Sequence, residues 1–256
     1  MSILDSFDIK TPALIDPENL YTPSGVRVNT CVYTFSKPLI EELEKNGSIT
    51  KADSRVFPKM CGDPYPMYLA AGTDIGVSRI PVGAPAAVCI LEEDRGIYGI
   101  KNAVVFGSCG VLGSLEPGKC IIPDRAYRDE GTSFHYAPPS DYIEVKNAGF
   151  MRKLFDEEGI GYACGATWTT DSIYRETAGL RDRRMSEGCL CVDMECSALQ
   201  AACDFRGMQL YQFLYSADSL EGENWQRRIL GTAEEDPCRV FYRLALLTAE
   251  KIESES

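Results

Sequence analysis

Short apolar runs bounded by polar or glycine-rich turns alternate along the chain with segments whose apolar residues recur at helical spacing. The runs at 11–15, 28–35, 67–71, 75–82, 103–106, 120–123, 162–169, 189–192 and 209–215 have strand length and predict strands. Ala103, Val104, Val105 and Phe106 are apolar without alternation, which suits a strand covered by helices on both faces. Helical spacing marks 38–45, stopped by Asn46-Gly47, and 84–93, with Pro85 in its first turn. It returns at 148–157, with Phe150, Leu154 and Phe155 inward, and at Leu199, Ala202, Cys203 and Arg206, with a stop at Gly207. A last helix spans 237–252, with Pro237 near its start and Val240, Phe241, Leu244 and Leu247 on one face. Segment 55–69 carries three prolines and a Gly-Asp-Pro turn, so edge strands and connections are expected there. With no repeats or linkers, the pattern predicts one α/β domain over 1–256, with helices on both faces of a mixed sheet.

The bulk numbers narrow this picture. A chain of 256 residues, 45% hydrophobic and 25% charged, can bury a full core. No apolar run approaches the roughly 18–20 residues that span a membrane. The start, Met-Ser-Ile-Leu-Asp-Ser-Phe-Asp, lacks the basic and apolar parts of a leader, so a cytoplasmic protein is expected. Eleven cysteines lie scattered through apolar runs without a Cys-x-x-Cys pair, as small buried hydrophobes of a reducing compartment would. With one histidine and scattered thiols, no metal site is expected. A net charge of −12 argues against long nucleic acids as partners, but leaves room for a small anion in a local pocket.

Candidate chemistry gathers at strand ends. Asp193, Met194 and Glu195 fall between the run at 189–192 and the helix that follows. Acids there suit the helix dipole, and they equally suit a cleft at the carboxyl end of a strand, where open α/β sheets bind ligands. Gly107-Ser108-Cys109-Gly110 predicts a sharp turn after its strand, offering N–H groups and a hydroxyl to an anion. Residues 128–139 form a polar, aromatic loop holding His135, and Thr169 to Glu176 mixes polar and aromatic groups. Asp218 ends the last strand, where a plain turn cap is the alternative. Polar clusters at several strand ends of one α/β sheet are expected to share a cleft.

At four of these places the chain resembles the nucleoside phosphorylase family, which includes uridine phosphorylase and the hexameric purine nucleoside phosphorylases. The resemblance rests on Gly107-Ser108-Cys109-Gly110, Arg128-Asp129-Glu130-Gly131-Thr132-Ser133-Phe134-His135-Tyr136-Ala137-Pro138, Thr169-Thr170-Asp171-Ser172-Ile173-Tyr174 and Asp193-Met194-Glu195-Cys196-Ser197-Ala198-Leu199. It implies a three-layer α/β/α sandwich with a mixed central sheet, and a dimer-based homo-oligomer, often a hexamer, in which a neighbour completes each site. It also implies phosphorolysis of a nucleoside to free base and ribose 1-phosphate, with inorganic phosphate as co-substrate and no cofactor. By position, Glu195 would take the ribose hydroxyls and Met194 would pack on the sugar. Gly107, Ser108 and Gly110 would hold phosphate, and Ile173 and Tyr174 would lie against the base. Thr169 and His135 belong to the same substrate motifs, and Asp218 or Arg175 would meet the charge on the departing base.

The departures open rival readings. Family phosphorylases carry an arginine where Val105 stands, and a Gly-Asp-Pro loop with an arginine where residues 15–20 read Ile-Asp-Pro-Glu-Asn-Leu. Arg79, just before Pro81-Val82-Gly83-Ala84-Pro85, which resembles a site-lining segment of the family, is a candidate replacement, as are Arg27 and Arg55. The uracil-reading Gln-x-Arg gives way to Arg175-Glu176-Thr177, which leaves the base open. A nucleosidase using water, activated by Asp16 or Glu18, is one alternative. A non-catalytic nucleoside-binding protein is the other.

Overall fold

The computed structural model describes residues 2–57, 59–60, 65–231 and 238–255. In chain order come α1 (Pro17–Leu20), β1 (Thr30–Thr34), α2 (Lys37–Lys45), β2 (Ile49–Lys51), β3 (Tyr68–Ala70) and β4 (Gly76–Arg79). Then follow α3 (Ala84–Tyr98), β5 (Asn102–Val111), β6 (Cys120–Asp129), α4 (Ser133–Tyr136), β7 (Tyr142–Glu144) and α5 (Ala148–Glu157). The remainder is β8 (Tyr162–Thr170), α6 (Ala178–Ser186), β9 (Cys189–Asp193), α7 (Cys196–Arg206), β10 (Gln209–Ser219) and α8 (Cys238–Ser254).

One mixed sheet organises them into three layers, as expected. Strand β1 runs parallel to β4 and β5 at its middle, and β3 and β2 extend it as antiparallel edge strands. On the other side β5 pairs with two strands, β10 in parallel and β9 antiparallel. Because β10 pairs β6, β6 pairs β8 and β8 pairs β9, this half of the sheet closes on itself. Side-chain alternation then fixes the layers. Val32, Val104, Phe106 and Phe213 pack with α2, α5 and α8, whereas Cys31, Tyr33, Ala103, Val105 and Leu210 pack with α3 and α7. Cys109, Val111, Ile121, Cys191 and Leu214 form a separate cluster in the closed half. The ten cysteines among the described residues are free, seven of them buried. No helix among the described residues is long and apolar enough to cross a membrane.

Several sequence expectations need correction. Residues 11–15 form no strand, and Leu14 and Ile15 stand exposed with no neighbour to pair with. Gly107 to Gly110 do not turn: β5 stays extended to Val111 because β10 and β9 hydrogen-bond it from both sides. Helix α3 runs past its expected end to Tyr98, because Glu93 and Asp94 are buried acids and not a polar stop. On α8 the inward face is Phe241, Leu244, Ala245, Thr248 and Ile252, and Val240 points to solvent. On α5, Met151 sits inside beside Leu154 and Phe155, and Phe150 is half-buried, edge-on to Tyr211. Pro237 and the Gly62-Asp63-Pro64 turn lie outside the described residues.

Candidate active site

Strand β9 ends at Asp193 and α7 begins at Cys196, so the acidic junction stands where the sequence puts it. Its two acids do different things. Asp193 is buried and caps the helix: Oδ2 accepts the backbone N–H of Glu195 at 2.9 Å and of Cys196 at 2.6 Å. Its Oδ1 accepts the hydroxyls of Thr167 at 3.0 Å and Thr169 at 2.8 Å. With the first turn satisfied this way, Glu195 makes no capping hydrogen bond. Its carboxylate lines a cavity of about 690 Å³ and accepts the Gly83 N–H at 2.6 Å. Gly83 has φ +102°, a conformation that other residues rarely adopt. Burial, and after it the Asp193 charge, push the Glu195 carboxyl up to about 8.

The carboxyl-terminal half of β5 forms another wall. Ser108 is the exposed residue of this otherwise buried strand. The Phe35 ring, just beyond β1, comes within 2.8 Å of where a Gly107 Cβ would stand, so the strand and the ring meet only because Gly107 is bare. A bulge between Ser216 and Asp218 re-aims the end of β10, and Asp218 accepts the Trp225 indole N–H at 2.6 Å. Burial raises the Asp218 carboxyl above its ordinary value. A Cβ on Gly110 would meet Leu220 Cδ1 at 2.7 Å, Val192 Cγ1 at 3.1 Å and Asp218 Oδ2 at 3.2 Å. Gly110→Ala is therefore expected to cost about 1–3 kcal/mol in denaturant unfolding. The same contact would shift the Asp218 carboxylate by a few tenths of an ångström.

The mouth is apolar. Val82, Ile173, Tyr174 and Trp225 line it and are all exposed, Tyr174 at 96%. Glu176 and Arg181 add the polar groups there. Arg181 is already engaged, with Asp182 at 2.8 Å, the Leu220 carbonyl at 2.7 Å and the Gly222 carbonyl.

The cavity thus gathers Gly107, Ser108, Gly110, Ile173, Tyr174, Met194, Glu195 and Asp218 from four strand ends. Other expected residues lie elsewhere. Thr169 is buried behind the junction, where its hydroxyl serves Asp193 and accepts the Ser197 N–H. Arg175 and His135 are exposed and do not line the cavity. The loop at 128–139 is tied down by buried Arg128, which bonds Ser133, Ser140 and the Ala137 and Pro138 carbonyls. Glu130 joins it to α7 through the Ser197 hydroxyl at 2.8 Å. Arg79 lies over the Tyr65 ring, Arg55 pairs with Asp53 at 3.2 Å, and Arg27 borders a separate cavity of about 410 Å³. Asp16 and Glu18 belong to α1 and its cap, paired with Arg206 and Arg95, so neither faces the site. Segment 15–20 packs against α3, and the amino-terminal segment that does reach the cavity is the end of β1 with Phe35.

Sequence reasoning missed Asp193 as the helix cap, and it missed Phe35, Arg181 and Trp225 as residues around the site, whereas Glu176 belongs to the expected cluster 169–176. Phe35 had a usable signal, since it ends a predicted strand. Gly83 stands in the segment 81–85 that the resemblance marks as site-lining, but its bond to Glu195, 112 positions away, has no local signal.

Comparison with known proteins fits this geometry. Residues 30–243 match the family described as the phosphorylase superfamily. Purine nucleoside phosphorylases of DeoD type from Bacillus thuringiensis (strain Al Hakam) and Bacillus mycoides (strain KBAB4) are each 26% identical over 153 residues. That stretch is 58% of this chain and 65% of theirs, so the chain spans just under two thirds of the relatives it matches. The crystal structure of AMP nucleosidase from Bacteroides thetaiotaomicron VPI-5482 has the same fold, with TM-score 0.68, 17% identity and 90% of both chains covered.

Proposed function

We propose that this chain, which belongs to the phosphorylase superfamily, cleaves the N-glycosidic bond of a nucleoside with inorganic phosphate, giving free base and ribose 1-phosphate. The observation that carries this reading is the convergence of Glu195, held by the Gly83 N–H, and Asp218, held by the Trp225 N–H, on one cavity. Breaking the bond builds positive charge on the ribose ring and negative charge on the base. Ionised Glu195 would accept the 2′- and 3′-hydroxyls and align C1′ for attack, with Met194 against the sugar. Asp218, whose burial favours the protonated form, would give its proton to a base nitrogen. Ser108 and the backbone beside Gly107 and Gly110 would receive phosphate, and the apolar mouth with Ile173 and Tyr174 would hold the base. The reading needs no cofactor. It extends to a dimer-based homo-oligomer, a hexamer, in which exposed His135 is available to a neighbouring copy.

Hydrolysis is the second reading, favoured by one observation. Among the described residues lining the cavity Arg181 is the one cation, and its donors are taken by Asp182 and two carbonyls. A phosphate clamp normally uses an unengaged, bidentate guanidinium. The AMP nucleosidase likeness agrees with water as an acceptor on this fold. A panel of uridine, thymidine, inosine, adenosine and guanosine, with and without phosphate, tests both. Base release that requires phosphate and yields ribose 1-phosphate is the expected result. Release without phosphate, yielding free ribose, replaces it with hydrolysis. Binding without any release would leave a nucleoside-binding protein.

A further inference from the structure

We propose that Trp225 is a positioning residue of this site, whose indole N–H fixes one oxygen of Asp218 and stabilises the carboxylate left when that acid gives up its proton. The inference rests on the nucleoside cleavage proposed above and concerns the same cavity. A closed loop brings Trp225 to Asp218. Ser219 and Gln226 exchange backbone hydrogen bonds at 2.9 and 2.8 Å, so the residues between them fold back on the end of β10. Arg181 of α6 donates to the Leu220 carbonyl at 2.7 Å and to the Gly222 carbonyl, and the Ile229 N–H donates to the Ala217 carbonyl at 3.0 Å. Trp225 remains 57% exposed at the mouth, so core packing does not account for its place. What the fastened loop delivers is its N–H, given to Asp218 Oδ2 at 2.6 Å.

The contact engages one oxygen only. Oδ2 also stands 3.2 Å from where a Gly110 Cβ would be, so it is held between the bare strand and the indole. Among the described residues no other side chain donates a hydrogen bond to Asp218, which leaves Oδ1 to carry the proton. As the C1′–N bond breaks, its electron pair goes to the base, a base nitrogen takes the proton from Oδ1, and Asp218 is left ionised. A hydrogen bond to an ionised acceptor is about twice as strong as one to a neutral acceptor, so the Trp225 bond tightens as the proton leaves. Stabilisation of this kind grows in the transition state and lowers the barrier.

The other titratable groups around Asp218 do not duplicate this role. Cys109 on β5, Glu176 after the 3₁₀ turn Ile173–Arg175, and Asp193, Glu195 and Glu223 bring no positive charge to the wall. Arg181 is spent on the loop itself and on Asp182. Arg228 gives a donor to the Leu115 carbonyl at 2.6 Å and pairs with Glu221 at 3.7 Å. Burial raises the Asp218 carboxyl, and the Trp225 bond is the first of the influences that lower it, ahead of the Arg228 charge.

The test compares wild type with Trp225→Phe, which keeps an apolar ring and removes the donor, on the nucleoside cleaved fastest. Without the N–H, Asp218 holds its proton to higher pH, so the wild type loses its acid first. Trp225→Phe is expected to fall at least about tenfold below wild type in kcat/KM at low pH, and the ratio of variant to wild type to climb about tenfold as pH rises. A ratio that is constant with pH makes Trp225 a purely structural loop residue and overturns the proposal, as does a variant as active as wild type at every pH. If no nucleoside releases base, cleavage itself fails, and fluorescence decides the pairing. The chain has two tryptophans and Trp168 is buried, so the emission lost in Trp225→Phe belongs to Trp225. Burial, and after it the Asp218 charge, push the nearby Glu176 carboxyl up to about 7, so this acid needs its own control. The Trp225 emission should show a pH step that persists in Glu176→Gln and disappears in Asp218→Asn. No step, or a step retained in Asp218→Asn, would overturn the pairing.

Discussion

Glu195→Ala is expected to lower kcat/KM for nucleoside cleavage by about a thousandfold or more while leaving the fold intact. The magnitude follows from the role: a group that fixes the sugar for attack contributes through alignment, and effects of this kind reach several kcal/mol. Structural damage is modest by comparison, since the Gly83 N–H loses its acceptor, a cost of about 1–3 kcal/mol. The pH dependence gives the same residue a second signature. Its carboxyl is pushed up to about 8 in the folded chain, against about 4.3 when unfolded. The folded state therefore keeps a proton that the unfolded chain has released. This group's stabilisation is complete below about 4.3 and is lost as pH rises through about 8. Binding of sugar hydroxyls needs the ionised form while Asp218 must keep its proton, so kcat/KM should climb with pH as Glu195 ionises and fall again where Asp218 does. Glu195→Gln should abolish that climb, lose activity, and unfold less readily than wild type at a pH of about 9. Activity within tenfold of wild type in Glu195→Ala, with an unchanged circular dichroism spectrum, would remove Glu195 from the mechanism.

What the sequence made legible follows from where the physics is local. The strands at β1, β5, β8, β9 and β10 were readable because each holds a short, mostly apolar or alternating stretch of strand length, and their chemistry was readable because it stands at their carboxyl ends. The convergence of Ser108, Tyr174, Glu195 and Asp218 on one cavity came from that rule alone. The errors came from non-local contacts. Two glycines in 107–110 read as a turn, yet hydrogen bonds from β10 and β9 hold them extended, and their bareness admits Phe35 and Asp218. Asp16-Pro17 imitated an expected phosphate loop, while the strand end that reaches the cavity carries Phe35.

The division of labour between Asp193 and Glu195 was illegible for the same reason, and it yields the second large effect. Asp193→Ala is expected to destabilise the chain by about 3–5 kcal/mol in denaturant unfolding, because it strands two backbone N–H groups and two hydroxyls in a buried place. Asp193→Asn should behave differently. Its amide oxygen can accept the Glu195 and Cys196 N–H groups, and its amide nitrogen can donate to the hydroxyls of Thr167 and Thr169, which have lone pairs to receive it. The cap then survives, and the negative charge beside Glu195 is gone. That charge is the second cause, after burial, of the raised Glu195 carboxyl, so removing it should lower the pH at which Glu195 ionises. The rise of kcat/KM with pH should accordingly move to lower pH in Asp193→Asn, with the maximum kept within about tenfold of wild type. A purely structural Asp193 would reduce the maximum and leave the position of the rise where it is. A pH profile of the Asn variant beside wild type thus distinguishes an acid that only caps the helix from one that also sets the charge state of its neighbour.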